Sequence, residues 1–364
     1  MSKKNFSKAA VIAIVVAFLV ASCGPAPTPA TTGAPATQAP TEAATSVIQP
    51  SFVLIVPGPV GASQTLGLLV DGINTAGPKW NAKVQVMEAS DPTSWQENVQ
   101  AAVNNKATIV ITFGYQFTDA LTSIVPTAPD VQFVAIDTCI DPIADNIYCV
   151  ASREYESAFL TGVEAALLTK TNKVGTVGAL DIPLLHRLTD GFAQGAQFIN
   201  PTITVETRWV GGDNPFSDPV RAKQQALAMA SAGFDQIAAA AAGGNTGIFE
   251  AAKEAGFQTY GGDINQCPEA PGFVVDDQLK HVDIELRLAI DAIMEGNVTL
   301  HYLVYGLSEG GVGTIAQLSA DDIAASQCII AAHPEVIQKV KEVAQKIVSG
   351  ELKLKDPAGV LTQP

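Results

Sequence analysis

Short apolar runs alternate with amphipathic stretches along almost the whole chain. FVLIV at 52–56, KVQVMEA at 83–89, ATIVITFG at 107–114, VQFVAID at 131–137 and NIYCV at 146–150 read as strands. Between them lies a predicted helix from near Gln64, with Leu66, Leu69, Val70 and Ile73 at helical spacing. Ser94-Trp95-Gln96-Glu97 has capping-box spacing and is predicted to open a helix reaching Val103. A third helix is expected from about Thr118. Strands separated by helices at this interval imply parallel pairing and right-handed crossovers.

The stretch REYESAFLTGVEAALLTKTNKVGTVGAL at 153–180 begins the pattern again. Phe159, Val163, Ala166 and Leu167 form a helical stripe, and Lys170, Asn172 and Lys173 suit the negative end of the helix dipole. A strand, KVGTVGAL, follows at once. Further helices are expected at about 184–199 and 218–232, and from the GGNTG turn at 243–247 to Ala255. The strands among them are ITVETRWVG, DQIAAAAAG, FQTYGGD and GFVVDD. A long helix at about 278–294, the strand TLHYLVYGL and a final helix with Pro334 in its first turn complete the series. Val336, Val340, Val343 and Ile347 form its inner stripe. The chain thus reads as α/β, with two doubly wound parallel-sheet lobes.

The first fifty residues depart from this pattern. Lys3, Lys4 and Lys8 precede an apolar run at 9–21 that is short for a membrane span, and Val20-Ala21-Ser22-Cys23 resembles a bacterial lipobox. The expectation is a signal peptide at 1–22 and lipidation of Cys23. A Pro/Ala/Thr-rich segment at 23–50 has too little apolar surface to offset ordering entropy and reads as a tether. An exported lipoprotein, anchored at the extracytoplasmic face of a cell membrane, is the localisation these features imply.

Charge changes the picture mainly by exclusion. A net charge of −15 disfavours nucleic acid and anionic membrane surfaces, which require a basic face. Outside the cytoplasm the remaining cysteines can pair. Cys139 with Cys149, ten residues apart across a turn-rich stretch, is the preferred pair, leaving Cys267 with Cys328. The four scattered histidines and the absence of C-x-x-C predict no metal, and no cofactor-binding or nucleophile motif is present. The reading is therefore not enzymatic.

In doubly wound sheets ligands sit beyond the carboxyl ends of strands. Asp137 ends VQFVAID and Asp263 ends FQTYGGD. A carboxylate can accept two directed hydrogen bonds from neighbouring hydroxyls of a sugar or polyol, or it can cap the following turn. Gly243, Gly244 and Asn245 of GGNTG could bring backbone N–H groups to a ligand, or simply turn the chain. Tyr115, Phe117 and Trp209 follow strands and could stack on a flat ring or fill the core.

YESAFLTGVEAALLTKTNKVGTVGALDIP, followed by DGFAQGAQFINP, resembles the signature of the basic membrane protein (BMP) family. Its members are PnrA-like substrate-binding lipoproteins of ABC transporters. FGYQFTDAL with VQFVAID, AAGGNTGIFEAAKEAG, GGDINQ and YGLSEGGVG are similar to further family blocks in the same order, so the likeness spans 52 to about 315. The resemblance implies the type I periplasmic-binding-protein fold, with two lobes joined by three crossings, no catalysis and an ABC permease as partner. The lobes would divide as 51–152 plus 268–306 and 153–267 plus 307–364.

By the resemblance, Asp137 and Asp263 contact a ribose, Lys280 joins them, and Gly243 and Gly244 match the family's Gly-Gly turn. The family's D-D-x-S-F-N after the first strand is replaced by Gly61-Ala62-Ser63-Gln64-Thr65-Leu66. Ser63 or Gln64 is then the substitute polar contact, and Trp209 or Phe117 the substitute stacking ring. The expected ligand is a small, roughly neutral, hydroxyl-bearing molecule, best a nucleoside, with riboflavin or another heterocycle or polyol as the alternative. A ligand-sensing surface lipoprotein without a permease is the second reading.

Overall fold

The computed structural model describes residues 49–359. The predicted signal peptide, Cys23 and the tether up to residue 48 lie outside the described residues. The chain first runs β1 (Ser51–Val56), α1 (Gln64–Lys79), β2 (Lys83–Glu88), α2 (Pro92–Asn104), β3 (Ile109–Phe113), α3 (Thr118–Ile124), β4 (Gln132–Ile136) and β5 (Ile147–Ser152). It then crosses to α4 (Glu154–Leu168), β6 (Lys173–Gly178), α5 (Pro183–Ile199), β7 (Thr204–Trp209), α6 (Pro219–Ser231), β8 (Gln236–Ala240), α7 (Asn245–Ala255), β9 (Gln258–Asp263) and β10 (Val274–Lys280). A return crossing gives α8 (Val282–Met294) and β11 (Tyr302–Tyr305). A third crossing leads to β12 (Val312–Thr314), α9 (Ala320–Ala325) and α10 (Pro334–Val348).

Two six-stranded sheets result, ordered β11-β5-β4-β3-β1-β2 and β12-β10-β9-β8-β6-β7. Pairing is parallel except between β10 and β12. The first sheet is covered on one face by a core that includes Leu69 and Leu286 and on the other by one that includes Val99 and Leu121. The second sheet has a continuous core running through Val163, Phe192, Phe249 and Val340. Cys139 is bonded to Cys149 and Cys267 to Cys328, one bridge in each lobe.

Two element boundaries differ from the sequence reading. Helix α2 is capped by Asp91, whose side chain accepts from the N–H groups of Thr93 and Ser94, while Ser94 Oγ accepts from Asp91 N. Ser94 is therefore the N3 partner of the box, and Pro92 occupies the first turn. The second difference is larger. The residues 278–280, expected to begin a helix, continue β10, and the whole strand VVDDQLK is buried. Although the sequence division assigns 268–306 to the first lobe, β10 is hydrogen-bonded into the second sheet. The chain crosses back only at His281, whose N–H donates to Gly311 O.

Helices α4 and α5 pack backbone against backbone. A Cβ on Gly162 would lie 2.1 Å from Phe192 O, and one on Gly195 would lie 1.9 Å from Phe159 O. Any side chain there would force the pair apart, which explains both glycines in the stretch that carries the family resemblance.

Candidate functional site

Parallel strands place their carboxyl ends on one edge of each sheet, and the two edges meet around a cavity of ≈ 130 Å³. Asp137 follows β4 and Asp263 ends β9. Both adopt left-handed backbone conformations, with φ of 60° and 67°. Aspartate tolerates that conformation better than most non-glycine residues. Both residues line the cavity.

Lys280 closes the floor between them. Its ammonium donates to Asp137 Oδ1 and Oδ2 at 2.7 and 2.8 Å and to Glu154 Oε1 at 3.0 Å. Burial by itself lowers a lysine, but Asp137 and Glu154, with contributions from Glu285 and Asp263, hold this one well above its ordinary value. Burial raises the Asp263 carboxyl; Lys280 opposes the rise and Asp137 adds to it. Glu154 is likewise raised by burial, against the charges of Lys280 and Arg187. The floor is thus a fixed cation among carboxyl groups, a set of donors and acceptors suited to hydroxyls.

The second lobe supplies an apolar wall of Leu184, Leu188 and Phe216, with Asn245 beside it. Asn245 is held by its own amide: Oδ1 accepts from Ala241 N at 2.8 Å and Nδ2 donates to Gln266 Oε1 at 3.0 Å. A neighbouring cavity of ≈ 300 Å³ shares Asp137 and Leu184, and continues past the Cys139–Cys149 bridge to Arg187 and Tyr302.

The other sequence candidates stand elsewhere. Phe117 is fully buried and tilted against Trp95 in the first-lobe core, and it lines neither of these cavities. Trp209, at the end of edge strand β7, meets His186 edge-on at 5.5 Å and lies outside the lining of both cavities. Gly243 and Gly244 turn the chain ahead of α7, and the cavity is lined by their neighbours Ala242 and Asn245. Gly244 is buried, where a Cβ would meet those of Ala241 and Ala222. Ser63 is the N-cap residue of α1 and Gln64 is exposed; neither lines a cavity. Tyr115 is 69% exposed beyond β3.

Glu154, Leu184, Leu188, Arg187 and Phe216 were not singled out from sequence. Glu154 reads there as an ordinary helix-opening acid. Phe216 had a usable signal, since it lies between a strand end and the helix-capping Asp218.

A cleft of this kind between two parallel sheets points to solute capture, and comparison with known proteins decides the family. The model of the ABC transporter substrate-binding protein PnrA-like family matches residues 50–357. The chain belongs to this family. Members are extracytoplasmic, non-enzymatic proteins that bind small molecules and deliver them to an ABC permease. The chain is 28% identical over 276 residues to a CD4+ T-cell-stimulating antigen of Listeria monocytogenes, covering 74% of this chain and 76% of the relative. It is 26% identical over 264 residues to the ABC transporter nucleoside-binding protein BmpA of Lactococcus lactis, covering 66% and 74%. Among solved structures, an ABC transporter solute-binding protein from Aeropyrum pernix superposes with a TM-score of 0.66 at 24% identity, covering 85% of this chain and 94% of that one. That likeness supports the type I periplasmic-binding-protein fold. Among the described residues no helix is long and apolar enough to cross a membrane.

Proposed function

We propose that this PnrA-like protein captures a nucleoside, its sugar hydroxyls held by Asp137, Asp263 and Lys280 and its base lying against Phe216 and Leu188. The observation that carries the reading is the convergence of both strand-end aspartates and Lys280 on one cavity with an apolar wall. A nucleoside offers neighbouring hydroxyls on one side and a flat heterocycle on the other, which matches that division. Similarity to a nucleoside-binding relative supports the same class. Trp209 and Phe117 have no part in this arrangement. Binding across the cleft favours closure of the hinge to the extent that the ligand prefers the closed form over the open one.

The test is calorimetric titration of adenosine, guanosine, cytidine and uridine into the full chain. At least one should bind, and Asp263→Ala should weaken it by one or two charged hydrogen bonds, about 1.5–3 kcal/mol each. Unchanged affinity in Asp263→Ala sinks the assignment. We further propose that Cys23 carries the lipid anchor. Cys23→Ser should then move the protein from the membrane fraction to the soluble fraction, and retention in the membrane fraction speaks against it.

A further inference from the structure

All three crossings meet at a single buried carboxyl group. Glu285 lies in the first turn of α8, just past the second crossing, and its N–H donates to His281 O. Ser152, the last residue before the first crossing, donates its hydroxyl to Glu285 Oε1 at 2.6 Å. The third crossing passes so close that a Cβ on Gly311 would lie 3.1 Å from the same Oε1 and 2.6 Å from Tyr305 Cβ. The backbones there are hydrogen-bonded side by side, Arg153 N to Tyr305 O and His281 N to Gly311 O. Glu285 itself is fully buried, and its Oε2 has no hydrogen-bond partner.

We propose that Glu285 is the positioning residue of the hinge, a carboxyl group packed where the three crossings meet, which keeps them together as a neutral acid and loosens them when it ionises. The proposal rests on the reading of this cleft as one that closes around its ligand. A buried carboxylate needs several hydrogen bonds or a cation of its own. Glu285 has one hydrogen bond, and the ammonium of Lys280 is already bonded to Asp137 and Glu154. In the neutral form only one oxygen is left without a partner, which costs less than a buried charge with a single hydrogen bond. As an anion it must draw Lys280 away from the cleft floor or admit water between the crossings, and either change loosens the part of the fold about which the lobes turn.

The charges facing it point the same way. Burial pushes the Glu285 carboxyl up to about 8; Lys280 from β10 and the Ser152 hydroxyl from β5 pull it down, while Asp137 beyond β4 and Glu154 on α4 push it up. Tyr305 on β11 is itself raised, by burial and then by Glu285, and so stays a neutral phenol at neutral pH. Ionisation of Glu285 then falls in the mildly alkaline range. An acid raised by folding lowers stability as pH climbs from its unfolded value to its folded one, and adds nothing further above that.

The full chain without ligand, as wild type and Glu285→Gln, is melted from pH 5 to pH 9. The variant keeps an acceptor for Ser152 and cannot ionise. The gap in melting temperature should widen in the variant's favour up to about pH 8 and then stay constant. Wild-type-minus-variant infrared difference spectra should show one protonated carboxyl contribution that disappears between pH 7 and 9, over the background that Glu164 gives in both proteins. Small-angle scattering should show wild type, and not the variant, opening over the same interval. Ser152→Ala removes the one hydrogen bond that favours the anion, so it should move the midpoint upward even if the glutamine variant fails to fold. A constant gap, no lost band, or equal opening in both proteins overturns the proposal. In calorimetry the affinity of any nucleoside that binds at pH 7 should fall several-fold by pH 9 in wild type only. If none binds at pH 7, the ligand assignment fails, while the melting, infrared and scattering results still decide the role of Glu285.

Discussion

The two lobes share a topology and differ in what they bury. Around the first sheet the largest enclosed side chains include Phe52, Leu54, Ile55, Leu69, Phe117 and Phe133. The enclosed polar groups there are few: Thr112, Asn146 and, at the hinge, Ser152 and Glu285. In the second lobe Glu164, Asp276, Asp277, Gln278 and Lys280 are all buried. Asp276 accepts from the N–H groups of Asp277, Ile315 and Ala316 at 2.6, 2.7 and 2.9 Å. Gln278 donates to Thr161 Oγ1 at 3.0 Å. The difference shows two ways to seat a strand with both faces covered, by apolar fill in β4 and by specific polar partners in β10. The last residue of that polar strand, Lys280, presents its charge to the cleft.

Two substitutions should separate these modes. Phe133→Ala in β4 should cost about 3–5 kcal/mol in denaturant unfolding, with little dependence on pH, because only transfer and cavity terms are involved. Lys280→Ala in β10 should cost a similar amount, about 3–5 kcal/mol, by leaving Asp137 and Glu154 without their cation. That penalty should shrink in acid, where Glu154, raised by burial, takes up a proton. A penalty for Lys280→Ala that is the same at pH 4 and pH 8 would mean the strand is held by packing after all.

The disulfides sharpen the contrast more modestly. The Cys139–Cys149 bridge closes a separation of 10 residues and Cys267–Cys328 one of 61. Chain entropy therefore predicts that replacing the second pair by serine costs about 1.5 kcal/mol more than replacing the first. Equal losses in chemical denaturation would count against that account. A further effect has the opposite sign. Glu164 is raised well above the ordinary glutamate range by burial, then by the charge and hydrogen bond of Asp276 and the charge of Asp277. Burial likewise raises Asp276, to about 6, while the Glu164 hydrogen bond lowers it. A raised acid lowers stability above its unfolded value. Glu164→Gln keeps a donor for Asp276, and should match wild type near pH 4 and become progressively more stable toward pH 8. A variant that loses stability over that range would show that the pair is held as an anion.

Much of the fold was legible because strand and helix periodicities are local properties. FVLIV and VQFVAID bury side chains on both faces, and an apolar run reports that directly. VVDDQLK is buried just as completely, yet its sequence reads as a strand that gives way to a helix after Asp277. Its partners, Thr161, Glu164, Ile315 and Asp137, are far away in sequence, and no local pattern reports them. The same reason separates the site candidates. Asp137 and Asp263 were accessible from their place at strand ends and from the family blocks around them. Phe117 and Trp209 satisfied the same positional rule, but packing sends one ring into the core and leaves the other against His186.

By itself, then, the sequence determined the order of elements, the two-lobed α/β class, the family and the acidic residues at strand ends, since each is written in short stretches of chain. Tertiary structure alone decided that β10 belongs to the second sheet, that Phe216 and Glu154 reach the cleft, and that Ser152, Glu285 and Gly311 meet at the hinge. Apart from the pairing of β10 with its neighbour β9, these are contacts between segments more than a hundred residues apart or separated by whole helices. Whether a polar side chain is costly or useful depends on the partner it finds there, and that partner exists only once the chain has folded.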